Sequence, residues 1–245
     1  MQRYFADSKI TTEYQLTPEI YKHAIKVLRM KVGDTFELVD DAEVVHKMEI
    51  TKIEDGKAKA TSVEVIPSDV ELPAAVTIVC GISKNDKADW IVQKGTEMGA
   101  TKFIFFVGDY SVAKWDKKRS SKKVQRLQKI ARSAAEQSHR TKIPEVTFVE
   151  KLKDIDFEKN DARIVAYEES AKKGESGNLF KILDKKPSDI IAIFGPEGGI
   201  SPKEIEFLEA NSFILAGLGP RIMRAETAPL YFLASLSFAL ELSWD

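Results

Sequence analysis

The chain has 245 residues, 43% hydrophobic and 31% charged, the proportions of a globular protein with a sizeable core and room for two domains. No apolar run approaches bilayer length and the segment from Met1 carries no signal-peptide pattern, so a cytoplasmic protein without membrane contact is expected. The formal net charge is −1, and the single cysteine (Cys80) and three scattered histidines (His23, His46, His139) exclude an internal disulfide and offer no metal-site spacing.

Residues 1–70 read as a small β-rich domain. Arg3, Tyr4 and Phe5 form a first strand. Thr17 and Pro18 supply an N-cap and a first helical position, and Ile20, Ala24, Val27 and Leu28 make one apolar face. Strand patterns follow at 35–39, 44–53 and 57–65, the last two joined through Glu54, Asp55 and Gly56, a hairpin signal. Short strands around one helix suggest a compact barrel. The polar stretch 67–73, bracketed by Pro67 and Pro73, has neither period and marks a boundary.

Residues 74–245 alternate strand and helix. Strands are predicted at 75–81, 102–107, 146–149, 163–167, 190–194 and 213–215. Helices are predicted at 87–98, with Trp90, Ile91, Lys94 and Met98 near one face, at 120–137, after a capping box at Ser201 and Glu204, and at 228–242. The last is apolar nearly all round and must be buried in the core or a subunit interface. The alternation implies an α/β fold with a mostly parallel sheet covered on both faces. The loop at 168–177, with Gly174 and Gly177, looks the most flexible.

Two glycine-rich loops follow the last two strands, where open α/β sheets bind ligands. One is the Gly-Pro-Glu-Gly-Gly run at 195–199, the other the run 216–228 with Gly217, Gly219, Pro220, Arg221, Arg224 and Glu226. Neither is a phosphate-binding P-loop, because no Gly-Lys-Ser/Thr follows, and the dinucleotide fingerprint is absent. They read as two walls of one site. Arg224 offers a cation for a negatively charged substrate, and Glu226 and Glu197 offer carboxylates for proton handling or ligand anchoring. The plainer alternative is a pair of turns in which Arg221 or Arg224 pairs with Glu226 or Glu197 to hold the loops. Charge is also uneven: between Lys114 and Lys142 there are eleven Lys or Arg and two acidic residues. On the helix there, Val124, Leu127, Ala131, Ala134 and Ser138 form the inward seam, while Lys122, Arg126, Lys129 and Arg140 fall outside. That outer face is either a phosphate-tracking surface for nucleic acid or a solvated helix face. Arg3, Tyr4, His23 and Arg29 are further candidate RNA contacts.

Together these residues resemble the small-subunit (16S) ribosomal RNA uridine-N3 methyltransferases, the RsmE family of the SPOUT superfamily. The resemblance runs in order through Arg3, Tyr4 and Phe5; His23 with Val27, Leu28 and Arg29; Lys84 and Trp90; Gln93, Lys94, Thr96 and Glu97; and Glu136, Gln137, Ser138, Arg140 and Pro144. It continues through 195–199 with Glu204, then Leu218, Gly219, Arg221, Ile222 and 224–228. Met98 and Met223 stand where that family usually has leucine, and Ala225 where threonine is common. The resemblance implies a trefoil-knotted SPOUT domain at 74–245, a PUA-like RNA-binding barrel at 1–70, and a homodimer with each site near the subunit interface. It implies S-adenosylmethionine held by Gly195, Gly198, Gly199, Leu215, Leu218, Gly219, Ile222 and Met223, no metal, and 16S rRNA of the small ribosomal subunit as substrate. Methylation at N3 requires loss of the N3 proton. Arg224 would then stabilise negative charge on the flanking carbonyl oxygens, and Glu226 or Glu197 would be base or cofactor anchor. The alternatives are methylation of another RNA position or a ribose 2′-hydroxyl, a non-catalytic RNA-binding assembly factor, and a nucleotide-phosphate enzyme using the glycine-rich loop.

Overall fold

The computed structural model describes residues 1–84, 86–115, 117–157, 160–169 and 177–242, and in 117–119 the backbone only. Residues 170–176 of the expected flexible loop lie outside the described residues. The chain divides into two compact units: Met1–Glu71 with Ala135–Lys142, and Leu72–Ala134 with Ile143–Asp245. That residues 135–142 join the first unit was not legible in their helical pattern.

The first unit holds β1 (Arg3–Phe5), β2 (Glu13–Gln15), β3 (Thr35–Val39), β4 (Val45–Glu54) and β5 (Lys57–Ile66), in the sheet order β1-β3-β4-β5-β2. β1 runs parallel to β3 and the other pairs are antiparallel. The hairpin between β4 and β5 turns through Asp55 and Gly56, both at positive φ (49° and 74°), the backbone that a two-residue hairpin needs. Thr17 caps α1 (Pro18–Tyr21) by accepting the Ile20 N–H at 3.2 Å. Phe36, Leu38, Met48, Ile50, Ile20 and Ala24 fill this unit's core.

Two sequence expectations change here. From Lys22 to Val27 the helix widens to a π-helix, and the Leu28 N–H reaches back to the His23 carbonyl at 2.9 Å. The wider turn shifts the apolar stripe, so Ile20 and Ala24 are buried but Val27 (60% exposed) and Leu28 (45%) face outward. Secondly, three proposed RNA contacts are buried: Arg3, Tyr4 and Arg140 are 4%, 2% and 2% exposed. Arg3 donates from Nε to Glu37 at 2.8 Å and from Nη1 to the His139 and Arg140 carbonyls. Arg140 forms an ion pair with Glu71, whose Oε1 also accepts the Thr141 and Lys142 N–H groups at 2.9 and 3.1 Å. The Tyr4 hydroxyl shares a hydrogen bond with His23 Nδ1 (2.9 Å). These side chains hold 135–142 and the α1 region within the first unit. Their polar groups are consumed internally, as burial requires.

The second unit has six parallel strands in the order β11-β9-β10-β6-β7-β8: β6 (Ala75–Gly81), β7 (Lys102–Phe106), β8 (Glu145–Val149), β9 (Ala162–Ala166), β10 (Asp189–Phe194) and β11 (Ile214–Ala216). Alternation along β6 and β10 serves two cores. Val76, Ile78, Ile190 and Ala192 face one, and Val79, Ile191 and Ile193 the other. The helices are α2 (Lys87–Glu97), α3 (Lys117–Gln137), α4 (Asn178–Leu183), α5 (Pro202–Ala210) and α6 (Ala228–Glu241). α5 opens on the expected capping box, with Ser201 Oγ accepting the Glu204 N–H at 3.2 Å and Glu204 accepting the Ser201 N–H at 2.8 Å. On α2, Ile91 is buried while Trp90 turns out, with the Lys94 ammonium over its ring. α3 starts three residues earlier than expected; its seam residues Leu127, Ala131 and Ala134 are buried, and Lys122, Arg126 and Lys129 are exposed. α6 buries Phe232, Leu233 and Leu236, each worth about 1.5–3 kcal/mol relative to exposure, but leaves Phe238 61% exposed. It is therefore not covered all round within the chain.

Candidate active site

Because the six strands are parallel, their carboxyl ends share one edge. From β6 the chain winds outward through β7 and β8, then returns to the other side of β6 through β9, β10 and β11. The β6–β10 neighbourhood is thus the point of reversal, where open α/β sheets leave a crevice. A cavity of about 790 Å³ opens at this edge. Its walls are the segments after β9, β10 and β11, plus Lys87 from the start of α2. The volume suits a cofactor-sized ligand.

Glycine sets the shape of two walls. A Cβ on Gly195 would stand 2.8 Å from the carbonyl carbon of Gly199, so the 195–199 turn closes only without one. Gly219 sits at φ +93°, a left-handed backbone that glycine adopts freely. Gly195, Glu197, Gly198, Gly199, Leu218, Gly219, Ile222, Met223 and Arg224 all border the cavity, as the sequence suggested. Leu215 does not: its side chain packs with the second core, and its carbonyl accepts a hydrogen bond from Asn178 at 2.9 Å. Glu226 is not a wall residue either, but it reaches the site through Lys87.

The alternative in which Arg221 or Arg224 pairs with Glu226 or Glu197 does not hold among the described residues; a lysine from α2 pairs with both carboxylates instead. Lys87 Nζ lies 3.0 Å from Glu197 Oε1 and 3.1 Å from Glu226 Oε2. Neither Arg221 nor Arg224 makes an ion pair among the described residues, and Arg224 is exposed at the cavity wall. Lys84 adds its backbone N–H to Glu197 Oε1 at 3.2 Å. Burial pushes the Glu197 carboxyl up, but the hydrogen bonds from Lys87 and from backbone N–H groups outweigh it and hold the carboxyl below its ordinary range. The Lys87 ammonium is held above its ordinary range, first by Glu197 and, against desolvation, by Glu226. Lys87 was missed from sequence. The available signal was a lysine at the first position of a helix, where the helix dipole disfavours positive charge.

The other candidates divide by unit. In the first, His23 and Arg29 are exposed on the π-helix and just after it, beside Lys22 and Lys26. In the second, Arg126 is exposed but donates to Asp89 at 2.6 Å, so the outer face of α3 is not purely basic. Among the described residues no cluster of three or more His, Cys, Asp or Glu stands ready for a metal ion, and no helix is long and apolar enough to cross a membrane.

Comparison with known proteins agrees with this architecture. Residues 70–237 match the family described as RNA methyltransferase domain, and residues 16–61 the RNA methyltransferase PUA domain. The chain is 40% identical over 254 residues to the ribosomal RNA small subunit methyltransferase E of Bacillus subtilis (strain 168), covering 99% of this chain and 98% of that protein. It is 31% identical to the protein of the same name from Synechocystis sp., over 88% of this chain and 70% of that one. The crystal structure of a ribosomal RNA small subunit methyltransferase E from Neisseria gonorrhoeae bound to S-adenosyl methionine matches with a TM-score of 0.84 at 27% identity, covering 97% of each chain. A mixed fold with a six-stranded parallel sheet, an N-terminal PUA sheet, the two glycine-rich loops and these relatives lead to one conclusion: the chain belongs to the ribosomal RNA small subunit methyltransferase E family of RNA methyltransferases.

Proposed function

We propose that the protein methylates N3 of a uridine in 16S rRNA of the small ribosomal subunit, using S-adenosylmethionine. The observation that carries this is the cavity at the reversal point of the sheet, which combines close backbone approach at 195–199, two carboxylates and the unpaired Arg224. The residues fit the cofactor. Gly195 leaves room for close backbone approach, Leu218, Ile222 and Met223 offer apolar contact to an adenine, and Glu197 and Glu226 add the negative charge that a sulfonium favours. When bound, S-adenosylmethionine supplies an electrophilic methyl group. Gly195, Gly198, Gly199, Leu218, Gly219, Ile222 and Met223 would hold it.

The chain's own groups handle the uracil. N3 carries a proton that must leave before the nitrogen can accept a methyl group, and the resulting negative charge spreads onto the flanking carbonyl oxygens. The Arg224 guanidinium stabilises that charge. Glu197, fixed by Lys87 and the Lys84 N–H and held below its ordinary range, is the poorer proton acceptor and serves as an anchor. Glu226 shares the Lys87 ammonium but, unlike Glu197, accepts no backbone N–H among the described residues, so of the two it is the proton acceptor. N3 lies on the Watson–Crick edge, so the base must arrive unpaired or flipped out.

In this reading residues 1–70 form the PUA-like RNA-binding domain and 74–245 the knotted SPOUT methyltransferase domain. His23 and Arg29 in the first, and Lys122, Arg126 and Lys129 in the second, meet RNA. The protein works in the cytoplasm as a homodimer, supported by exposed Tyr231, Phe238 and Leu242 along α6 and just after it. Sedimentation equilibrium giving only monomer at micromolar concentration would remove the dimer. The function is tested by incubating the protein with labelled S-adenosylmethionine and small subunits lacking the modification. Label is expected in the rRNA; no transfer to subunits or to free RNA, with no cofactor binding, would instead favour a non-catalytic RNA-binding factor.

A further inference from the structure

Lys87 opens α2, where the helix's free N–H groups already carry partial positive charge. Something else must hold an ammonium there. Its Nζ contacts one carboxylate from each glycine-rich loop, Glu197 at 3.0 Å and Glu226 at 3.1 Å. Glu197 is tied in addition to the backbone of Lys84, in the segment between β6 and α2. The same segments are packed without slack: a Cβ on Gly81, at the end of β6, would stand 2.4 Å from Pro196 Cδ. The side chains of Lys87, Glu197 and Glu226 are only 25%, 33% and 18% exposed, so solvent screens the three charges incompletely. Without the ammonium, two carboxylates of like charge would face the same gap, and the buried Oε2 of Glu226 would lose its cation.

We infer that Lys87 is a positioning residue, a clamp that draws the segments after β6, β10 and β11 into one preassembled pocket before any ligand arrives. The identity of that ligand rests on the function proposed above; the clamp itself does not. A preassembled pocket spares the ligand the cost of ordering its loops, so the clamp raises affinity by preorganisation. Its conservative variant must keep the effect and its neutral variant must lose it.

The test is amide hydrogen exchange on the ligand-free full chain, alongside S-adenosylmethionine binding by calorimetry, for wild type, Lys87→Met and Lys87→Arg. In Lys87→Met, amides of 195–199 and 217–226 are expected to exchange about tenfold faster while β6 and β10 are unchanged. Cofactor affinity falls about tenfold in parallel, as expected for lost preorganisation. Lys87→Arg keeps both within about threefold of wild type, because the cation is retained. Unchanged loop exchange in Lys87→Met overturns the clamp, whatever the affinity does. A rise shared equally by β6 and β10 also overturns it, since Lys87 would then only support general stability. Faster loop exchange in a protein whose wild type binds no S-adenosylmethionine sustains the clamp and removes the proposed cofactor instead.

Discussion

Arg224 and Lys87 are both cations bordering the cavity, yet the site uses them differently. Lys87 is fully engaged by Glu197 and Glu226, whereas Arg224 faces the cavity with no ion pair among the described residues. An exposed guanidinium without a structural partner is free to meet charge that develops on a substrate. Arg224→Ala is therefore expected to lower kcat by about 10²–10³, the usual loss for one such donor, with S-adenosylmethionine affinity nearly unchanged. Near-normal turnover would remove Arg224 from its role. Glu71 shows the opposite case, a carboxylate used for structure. Burial pushes its carboxyl up, but the Arg140 guanidinium and the Thr141 and Lys142 N–H groups prevail and hold it below its ordinary range. A carboxyl lowered on folding adds stability that is fully present above its unfolded value and is lost as pH falls through the folded one. Denaturant midpoints of the wild type should thus decline on acidification below about pH 4.5, and Glu71→Gln should flatten that part of the curve. An unaltered acid limb in Glu71→Gln would mean the pair contributes nothing. Arg140→Ala, which strands the carboxylate, should cost about 3 kcal/mol.

At the scale of elements, much was legible because local chemistry and final structure agree. The Thr17 cap, the Asp55–Gly56 turn and the Ser201 capping box each use a side chain or backbone whose partners lie within a few residues. The parallel sheet followed from apolar strands alternating with helices. The misses share a cause, which is partners distant in sequence. Arg140 looks like an outer-face cation until Glu71, 69 residues away in the chain, takes it inward. Tyr4 and Arg3 look like RNA contacts until His23, Glu37 and the His139 carbonyl claim them. Lys87 belongs to no pattern within its own helix; only the return of β10 and β11 to the same edge gives it two carboxylates. The π-helix turned Val27 and Leu28 outward through a widened turn that an apolar stripe of ordinary helical spacing does not announce. Of the four cations expected on an outer face, Lys122, Arg126 and Lys129 are exposed and Arg140 is not, and the exposed three support a distinct prediction. Replacing Lys122, Arg126 and Lys129 with neutral residues should weaken RNA binding and reduce the slope of log affinity against log salt by up to about three, one for each phosphate no longer neutralised. The Arg126–Asp89 ion pair makes the smallest share that of Arg126. An unchanged slope would leave this face merely solvated.

The whole molecule joins a PUA sheet unit to a parallel α/β unit whose strand ends hold the cavity, the arrangement of its family. In the proposed function, recognition of rRNA falls to surfaces on both units and chemistry to the second alone. In that proposal the methyl group goes to a nitrogen whose proton must first be removed, which is why a free cation and a carboxylate would both be needed. Everything assigned to Arg224 and Glu226 depends on that acceptor atom. A ribose hydroxyl would place the developing charge on one sugar oxygen instead of the two uracil carbonyls. The most direct measurement is mass spectrometry of nucleosides from small subunits that lack the modification, after incubation with the protein and S-adenosylmethionine. The expected new product is 3-methyluridine. A 2′-O-methylated nucleoside, or a methyl group on another base, would contradict the proposed acceptor.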